Sequence, residues 1–206
     1  PPRKSRRHAM IFRQLFDQTS GTYSYLLASR RGGEAMIIDP VIEKVDRYLA
    51  LVKELDLKLV KAVDTHMHAD HITGLGALRD KTRCITVMGE QTKADVVSMR
   101  LADGDKLTIE GLTLDVIYTP GHTDDSYSFF MQDRVFTGDT LLIRGTGRTD
   151  GQCQEITARA VRVHVVSLAS ASRNGSANTR THPGRLVCDA PGCRYRPNSR
   201  DGLPTT

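Results

Sequence analysis

The sequence lacks long hydrophobic runs and is poor in cysteine. No apolar stretch among its 206 residues approaches the ~18 residues that a membrane-spanning helix requires, and no short apolar segment follows a basic start as in a secretion signal. The four cysteines show none of the pairing pattern of a small disulfide-bonded scaffold. We therefore expect a soluble protein without a membrane partner, in the cytoplasm, or in the mitochondrial matrix if the source is eukaryotic.

Acidic residues are missing from the start of the chain, and lysine is missing from its last quarter. Residues 1–9 carry four basic groups and no acidic ones, and residues 151–206 carry eight arginines and three acidic groups. Of the 29 basic and 24 acidic residues, 17 and 21 then belong to residues 10–150, so the net charge of +5 arises at the two ends. A mildly acidic centre argues against a nucleic-acid partner.

Three segments differ in character. Residues 1–9 form a basic N-terminal extension, residues 10–150 alternate strand and helix patterns, and residues 151–206 contain a single aromatic residue, Tyr195. A segment with so little to bury is predicted to be disordered. A frameshift near residue 151 is our alternative hypothesis, because the codons of residues 157–165 can be chosen so that the shifted frame spells a helix-like sequence.

The pattern in residues 10–150 predicts a layered α/β fold with one core. A hairpin is predicted at 23–29 and 35–39, an amphipathic helix at 41–57, and further helices at 73–79 and 92–99. Further strands are predicted at 59–63, 84–88, 106–108, 112–118 and 126–136.

The stretch Thr65–His71, THMHADH, places three histidines and an aspartate directly after a predicted strand. His66 and His68 are two residues apart, so a turning backbone can aim both at one point. Imidazole nitrogen and carboxylate oxygen without thiolate suit zinc, iron or manganese. The cluster therefore predicts a metal site.

Two further strand ends carry possible ligands. His122 follows the predicted strand 112–118 on a glycine turn, and Asp139 follows the strand 126–136 in the same way. Loops at one edge of a rigid sheet commonly form the site of an α/β protein, and the adjacent glycines allow close approach of the backbone.

Taken together, H-x-H-x-D-H, G-H-T and G-D resemble the motifs of the metallo-β-lactamase superfamily over residues 10–150. More narrowly, THMHADHITG, TPGHTDDS and FTGDTLLIRGTGRTD are similar to the persulfide dioxygenase branch, which is related to glyoxalase II. The resemblance implies a four-layer αββα sandwich and the oxidation of glutathione persulfide by O2 to sulfite and glutathione.

For the site, the resemblance implies one Fe(II) held by His66, His122 and Asp139. His68, Asp70 and His71 would then orient these ligands or form a second metal site. Arg144 and Arg148 are the candidates to face the carboxylates of glutathione by charge-assisted pairing.

The chain departs from this family after residue 150. The resemblance leads one to expect two more helices and a P-x-H-D-Y element there, but the sequence offers nothing similar, and neither His164 nor His182 lies in such a context. We therefore expect the sandwich to be truncated in its C-terminal half.

Two alternatives stay open. One is a two-zinc hydrolase of glyoxalase II type that cleaves glutathione thioesters. There, His66, His68 and His122 would hold one ion, and Asp70, His71 and a late histidine the other, with Asp139 bridging. The second is an inactive metal-binding module. The sequence also leaves open whether the chain forms a homo-oligomer.

Overall fold

The computed structural model describes residues 10–95 and 97–142. The predictions for residues 1–9 and for the segment 151–206 lie outside the described residues. In the described part, ten strands form two sheets, and none of the helices combines the length and the apolar character needed to cross a membrane.

The first sheet has six strands in sequence order. They are β1 (Ile11–Phe16), β2 (Tyr23–Ala28), β3 (Glu34–Ile38), β4 (Lys58–Val63), β5 (Ile85–Gly89) and β6 (Met99–Leu101). The first three are antiparallel, as the predicted hairpin requires, and β3 to β6 run parallel. The parallel strands place the loops after β3 and β4 at one edge of the sheet.

The second sheet is antiparallel, in the order β10, β9, β8, β7. Its strands are β7 (Lys106–Ile109), β8 (Leu112–Tyr118), β9 (Tyr127–Phe130) and β10 (Val135–Phe136). Helices α1 (Val45–Glu54) and α2 (Leu75–Thr82) connect parallel strands of the first sheet, and short 3-10 turns lie at Ile42–Lys44 and Gly138–Thr140.

Side chains that alternate between two hydrophobic cores along one strand show how the layers stack. In β3, Ala35 and Ile37 pack into the core beneath the helices, whereas Met36 and Ile38 pack into the core between the sheets. Because successive side chains of a strand point to opposite faces, a sheet covered on both sides needs continuous apolar strands. The described residues thus form a helical layer and two sheets, as the predicted fold requires, and the predicted truncation of the C-terminal half concerns residues outside the described ones.

Two predicted elements were wrong. Residues 92–95, 97 and 98 form no helix, because the guanidinium of Arg100 donates to the carbonyls of Thr92 (2.6 Å) and Ala94 (3.2 Å), groups that a helix would use internally. The predicted strand at 126–136 is two strands, β9 and β10, joined by a tight turn in which Met131 N donates to Arg134 O at 2.8 Å.

Candidate metal centre

Three loops that follow strand ends bring His66, His122 and Asp139 together. One donor atom from each of the three residues lies within 4.8 Å of the others. The rings of His66 and His122 are nearly perpendicular, with centroids 5.1 Å apart, and His122 Nε2 lies 3.4 Å from Asp139 Oδ2. His66 is buried, while the Asp139 side chain is 48% exposed, so the group opens to solvent on one side. These donors fit one metal ion.

A chain of hydrogen bonds fixes the imidazole of His66. The Thr65 hydroxyl donates to Asp39 Oδ2 at 3.1 Å and lies 2.9 Å from His66 Nδ1. Since the hydroxyl has a single proton, its oxygen accepts from Nδ1–H, and the lone pair of His66 is on Nε2. Burial, followed by the nearby charge of His68, lowers the pKa of His66 to about 4. At neutral pH this imidazole is therefore uncharged, and its Nε2 can donate a lone pair to a metal.

Two glycines permit the close approach of the loops. Gly138 has a φ of +48°, and a Cβ at this position would lie 2.3 Å from Thr65 Oγ1 and 3.2 Å from His66 Nδ1. Gly121, directly before His122, has a φ of +153°. Both conformations favour glycine over residues with a Cβ. The sequence signal for this packing was the glycine next to each ligand.

Asp125 joins the first two loops and was missed by the sequence analysis. Its carboxylate accepts from Met67 N at 3.1 Å and from the Thr123 hydroxyl at 2.7 Å. The loops that carry His66 and His122 are thereby tied by one buried carboxylate. No pattern in the sequence marked it, apart from its place in the G-H-T-D-D turn.

His68 is turned toward carboxylates rather than toward the triad. Its Nε2 lies 3.3 Å from Asp39 Oδ1 and its Nδ1 lies 3.8 Å from Asp70 Oδ1. Burial lowers the pKa of His68, but the hydrogen bond to Asp39 and the charges of Asp39, Asp64 and Asp70 outweigh it and raise the pKa to about 9. His68 is not among the residues whose donor atoms group with those of His66, His122 and Asp139.

Asp39 and Asp64 are buried partners that the sequence analysis did not single out. Asp39 follows β3 with a φ of +50°, and its Oδ1 accepts from Thr65 N at 2.7 Å. Burial raises the pKa of Asp39, but the hydrogen bond and charge of His68 prevail, and the net shift is downward. Burial raises the pKa of Asp64 to about 7, and its Oδ1 has no hydrogen-bond partner among the described residues. The only sequence signal was an aspartate at each strand end.

Asp70 and His71 form a second group of donors with His68. One atom from each of the three lies within 4.8 Å of the others, and the rings of His68 and His71 have centroids 4.2 Å apart. The hydroxyl of Thr22 contacts both Asp70 Oδ2 (2.9 Å) and His71 Nδ1 (3.1 Å). His71 Nε2 is buried and has no hydrogen-bond partner among the described residues.

A cavity of about 510 Å³ adjoins Asp139. Its lining includes aromatic and aliphatic side chains, among them Tyr23, Tyr25 and Leu142, and the carboxylates of Asp70 and Asp139. Among its described lining residues there is no lysine or arginine. Arg144 and Arg148 lie outside the described residues, so their predicted contacts with a substrate stay predictions.

Comparisons with known proteins give the same assignment as the motifs. The family described as the metallo-beta-lactamase superfamily matches residues 18–94 and 89–186. The persulfide dioxygenase ETHE1, mitochondrial, of Bos taurus is 43% identical over 164 residues, which are 77% of this chain and 64% of that protein. A hydroxyacylglutathione hydrolase of Cereibacter sphaeroides is 30% identical over 133 residues, which are 63% of this chain and 51% of that protein.

The solved structures agree with the sequence relatives. The crystal structure of ETHE1 from Myxococcus xanthus superposes with a TM-score of 0.66 at 52% identity, covering 69% of this chain and 63% of that one. The chain therefore spans less than two thirds of the length of each of these relatives. The match of a family over more than half of the sequence, together with the two-sheet architecture, shows that this chain belongs to the metallo-beta-lactamase superfamily.

Proposed function

We propose that this domain holds a single Fe(II) at His66, His122 and Asp139 and acts as a persulfide dioxygenase. The substrate is glutathione persulfide, and the products are sulfite and glutathione. In the balanced reaction the terminal sulfur is oxidised, O2 is reduced, and one water supplies the third oxygen of sulfite. The observation that carries the proposal is the donor triad, because two imidazoles and one carboxylate with open positions are typical of iron oxygenases.

Bound Fe(II) would supply coordination positions for the persulfide sulfur and for O2, and the electrons that reduce O2 would come from the sulfur. The chain itself prepares the donors. Thr65 keeps the proton of His66 on Nδ1, so that Nε2 is the free donor, and Asp139 brings a negative charge that offsets part of the charge of the ion. The cavity beside Asp139 supplies space for a small thiol-containing peptide, with aromatic surface against its apolar parts.

The orientation of His68 supports one ion over two. In the hydrolase alternative, His68 joins His66 and His122 around the first ion. Here both ring nitrogens of His68 face the carboxylates of Asp39 and Asp70 instead. If His68 turned toward a metal ion, the buried carboxylate of Asp39 would lose a hydrogen-bond partner. Such a loss costs free energy, and it costs more for a charged group.

The choice of substrate rests on the relatives. The bovine and Myxococcus relatives carry the name ETHE1, and the bovine protein is named a persulfide dioxygenase. We infer that Arg144 and Arg148 contact the carboxylates of glutathione. The proposed partners are thus a small molecule and O2, with no nucleic acid. The proposed compartment is the cytoplasm, or the mitochondrial matrix in a eukaryote.

The hydrolase alternative keeps one specific observation in its favour. Donor atoms of His68, Asp70 and His71 lie within 4.8 Å of one another, and the Cereibacter relative is named a hydroxyacylglutathione hydrolase. In that alternative Asp70 and His71 would hold a second ion and Asp139 would serve both ions, and the metal pair would supply an activated water for thioester hydrolysis.

The test combines metal content with turnover. The full chain is dialysed anaerobically against Fe(II) or, separately, against Zn(II), and the bound ions are counted. O2 uptake and sulfite are measured on glutathione persulfide, and cleavage is measured on a glutathione thioester. One iron per chain with sulfite formation supports the dioxygenase. Two zinc ions with thioester cleavage would establish the hydrolase instead, and a chain that binds no metal would be an inactive module.

A further inference from the structure

Tyr25 lies in the middle of β2, and its ring packs against two other aromatic residues. The ring stacks on Phe12 with centroids 6.0 Å apart, and it meets Phe136 edge-on with centroids 5.0 Å apart. The ring cannot change rotamer without losing both contacts, so the position of its hydroxyl oxygen is fixed.

The Tyr25 side chain lines the cavity beside Asp139, together with Asp39. It is partly buried, and its hydroxyl has no hydrogen-bond partner among the described residues. Burial, followed by the charge of Asp39, raises the pKa of Tyr25, so the hydroxyl keeps its proton at neutral pH. A partly buried O–H group that serves no part of the described protein is available to a bound molecule.

The described lining of the cavity contains seven side chains that carry an N–H or O–H group. They are Gln14, Ser20, Thr22, Tyr23, Tyr25, His68 and Thr137. Four of them are already hydrogen-bonded within the protein: Ser20 to Asp17, Thr22 to Asp70, His68 to Asp39 and Thr137 to the carbonyl of Leu141. Of the other three, Gln14 and Tyr23 are exposed, so Tyr25 is the one partly buried donor that this described lining leaves for a ligand.

An anionic sulfur beside this cavity needs such a donor. The described lining carries the carboxylates of Asp39, Asp70 and Asp139 and neither lysine nor arginine. Like charges destabilise a sulfur anion, whereas an O–H group that points at it stabilises it. Because Asp139 belongs both to the donor triad and to this lining, a sulfur that is bound at the triad borders the cavity.

We propose that the Tyr25 hydroxyl binds the substrate, by donating a hydrogen bond to the anionic sulfur that the substrate brings to the metal centre. This inference rests on the proposed function, because it requires a sulfur substrate at the triad. Its consequence is selectivity, since the hydroxyl favours thiols and persulfides over thioethers, whose sulfur is a weak acceptor.

The experiment titrates the Fe(II)-loaded full chain with glutathione in a calorimeter, under anaerobic conditions. S-Methylglutathione is the second ligand, because its sulfur is an uncharged thioether. Tyr25→Phe removes the hydroxyl and keeps the ring between Phe12 and Phe136. Tyr23→Phe is the matched control, since it removes a hydroxyl from the exposed tyrosine of the same lining. Urea unfolding and titration with Mn(II) establish that the three proteins have the same stability and metal affinity.

We expect Tyr25→Phe to weaken the binding of glutathione by about 10–100-fold, as for the loss of a hydrogen bond to a charged group, and to leave the binding of S-methylglutathione unchanged. Tyr23→Phe should bind both ligands like the unsubstituted chain. A folded Tyr25→Phe variant that binds glutathione as tightly as the unsubstituted chain overturns the inference. So does a loss of equal size for the two ligands, or an equal loss in Tyr23→Phe.

The same titrations separate this inference from the proposed function. If the Fe(II)-loaded unsubstituted chain does not bind glutathione, both the role of Tyr25 and the proposed substrate are wrong. If Tyr25→Phe loses affinity for glutathione alone, but the unsubstituted chain consumes no O2 with glutathione persulfide, the dioxygenase proposal fails while the role of Tyr25 stands.

Discussion

Replacement of Gly138 by alanine probes how closely the third loop must approach the first. The φ of Gly138 is +48°, in the left-handed region, where an alanine costs about 1–2 kcal/mol. The added Cβ would lie 2.3 Å from Thr65 Oγ1 and 2.9 Å from Thr65 Cβ, so atoms must also shift, which adds about 1–3 kcal/mol. We expect Gly138→Ala to lower the free energy of unfolding by about 2–5 kcal/mol.

The same substitution should weaken metal binding. The atom that must move first is the Thr65 hydroxyl, which holds Nδ1 of His66 at 2.9 Å. Loss of such a supporting hydrogen bond typically lowers metal affinity by about 10–100-fold. Urea unfolding measures the stability, and calorimetric titration with Mn(II) measures the affinity.

Gly104→Ala is the matched control. Gly104 also has a left-handed φ, +87°, but a Cβ there would meet no atom within 4 Å. The Gly104→Ala substitution should therefore lower the free energy of unfolding by only about 1–2 kcal/mol, through backbone strain, and leave the metal affinity unchanged. If Gly138→Ala and Gly104→Ala lose the same stability and bind Mn(II) equally well, the close contact between Gly138 and Thr65 does not support the site, and the reasoning is refuted.

Three further predictions follow from the same geometry. His122→Ala should abolish metal retention on dialysis, since it removes one of three ligands; full occupancy by elemental analysis would contradict the ligand set. Thr65→Val removes the hydrogen-bond partner of His66 Nδ1 and should lower the affinity for Mn(II) by about 10–100-fold. Thr65→Ser keeps the hydroxyl and should bind Mn(II) like the unsubstituted chain. Equal titration curves for Thr65→Val and the unsubstituted chain would show that this hydrogen bond does not support the metal site. Hydrogen bonds from Ser20, with help from Lys44, lower the pKa of Asp17 to about 2, below its usual 3.8. The stability that the ionised Asp17 contributes is present above pH ~4 and is lost as the pH falls toward 2. The free energy of unfolding in urea should therefore depend less on pH over this range in Asp17→Asn than in the unsubstituted chain. Parallel pH profiles of the two proteins would contradict this prediction.

The fold was largely predictable because its elements have strong local patterns. The run LVKAV at 59–63 and the alternating pattern of 112–118 both lie within strands, β4 and β8, and helix α1 falls inside the predicted 41–57. The helix predicted at 92–99 was wrong because Met99 belongs to strand β6, which pairs with β5. Its carbonyls are satisfied by Arg100 from the neighbouring strand β6, and no periodicity in the segment itself reveals that competition.

The sequence by itself determined which donors exist and that they follow strand ends. His66, His122 and Asp139 each stand in a recognisable turn, and the identity of a side chain and its nearest neighbours is local information. Only the tertiary structure decided what each donor faces. His68 pairs with Asp39, 29 residues away, and Asp70 pairs with Thr22, 48 residues away. Such pairings depend on which strands lie side by side, and strand order is set by burial across the whole chain.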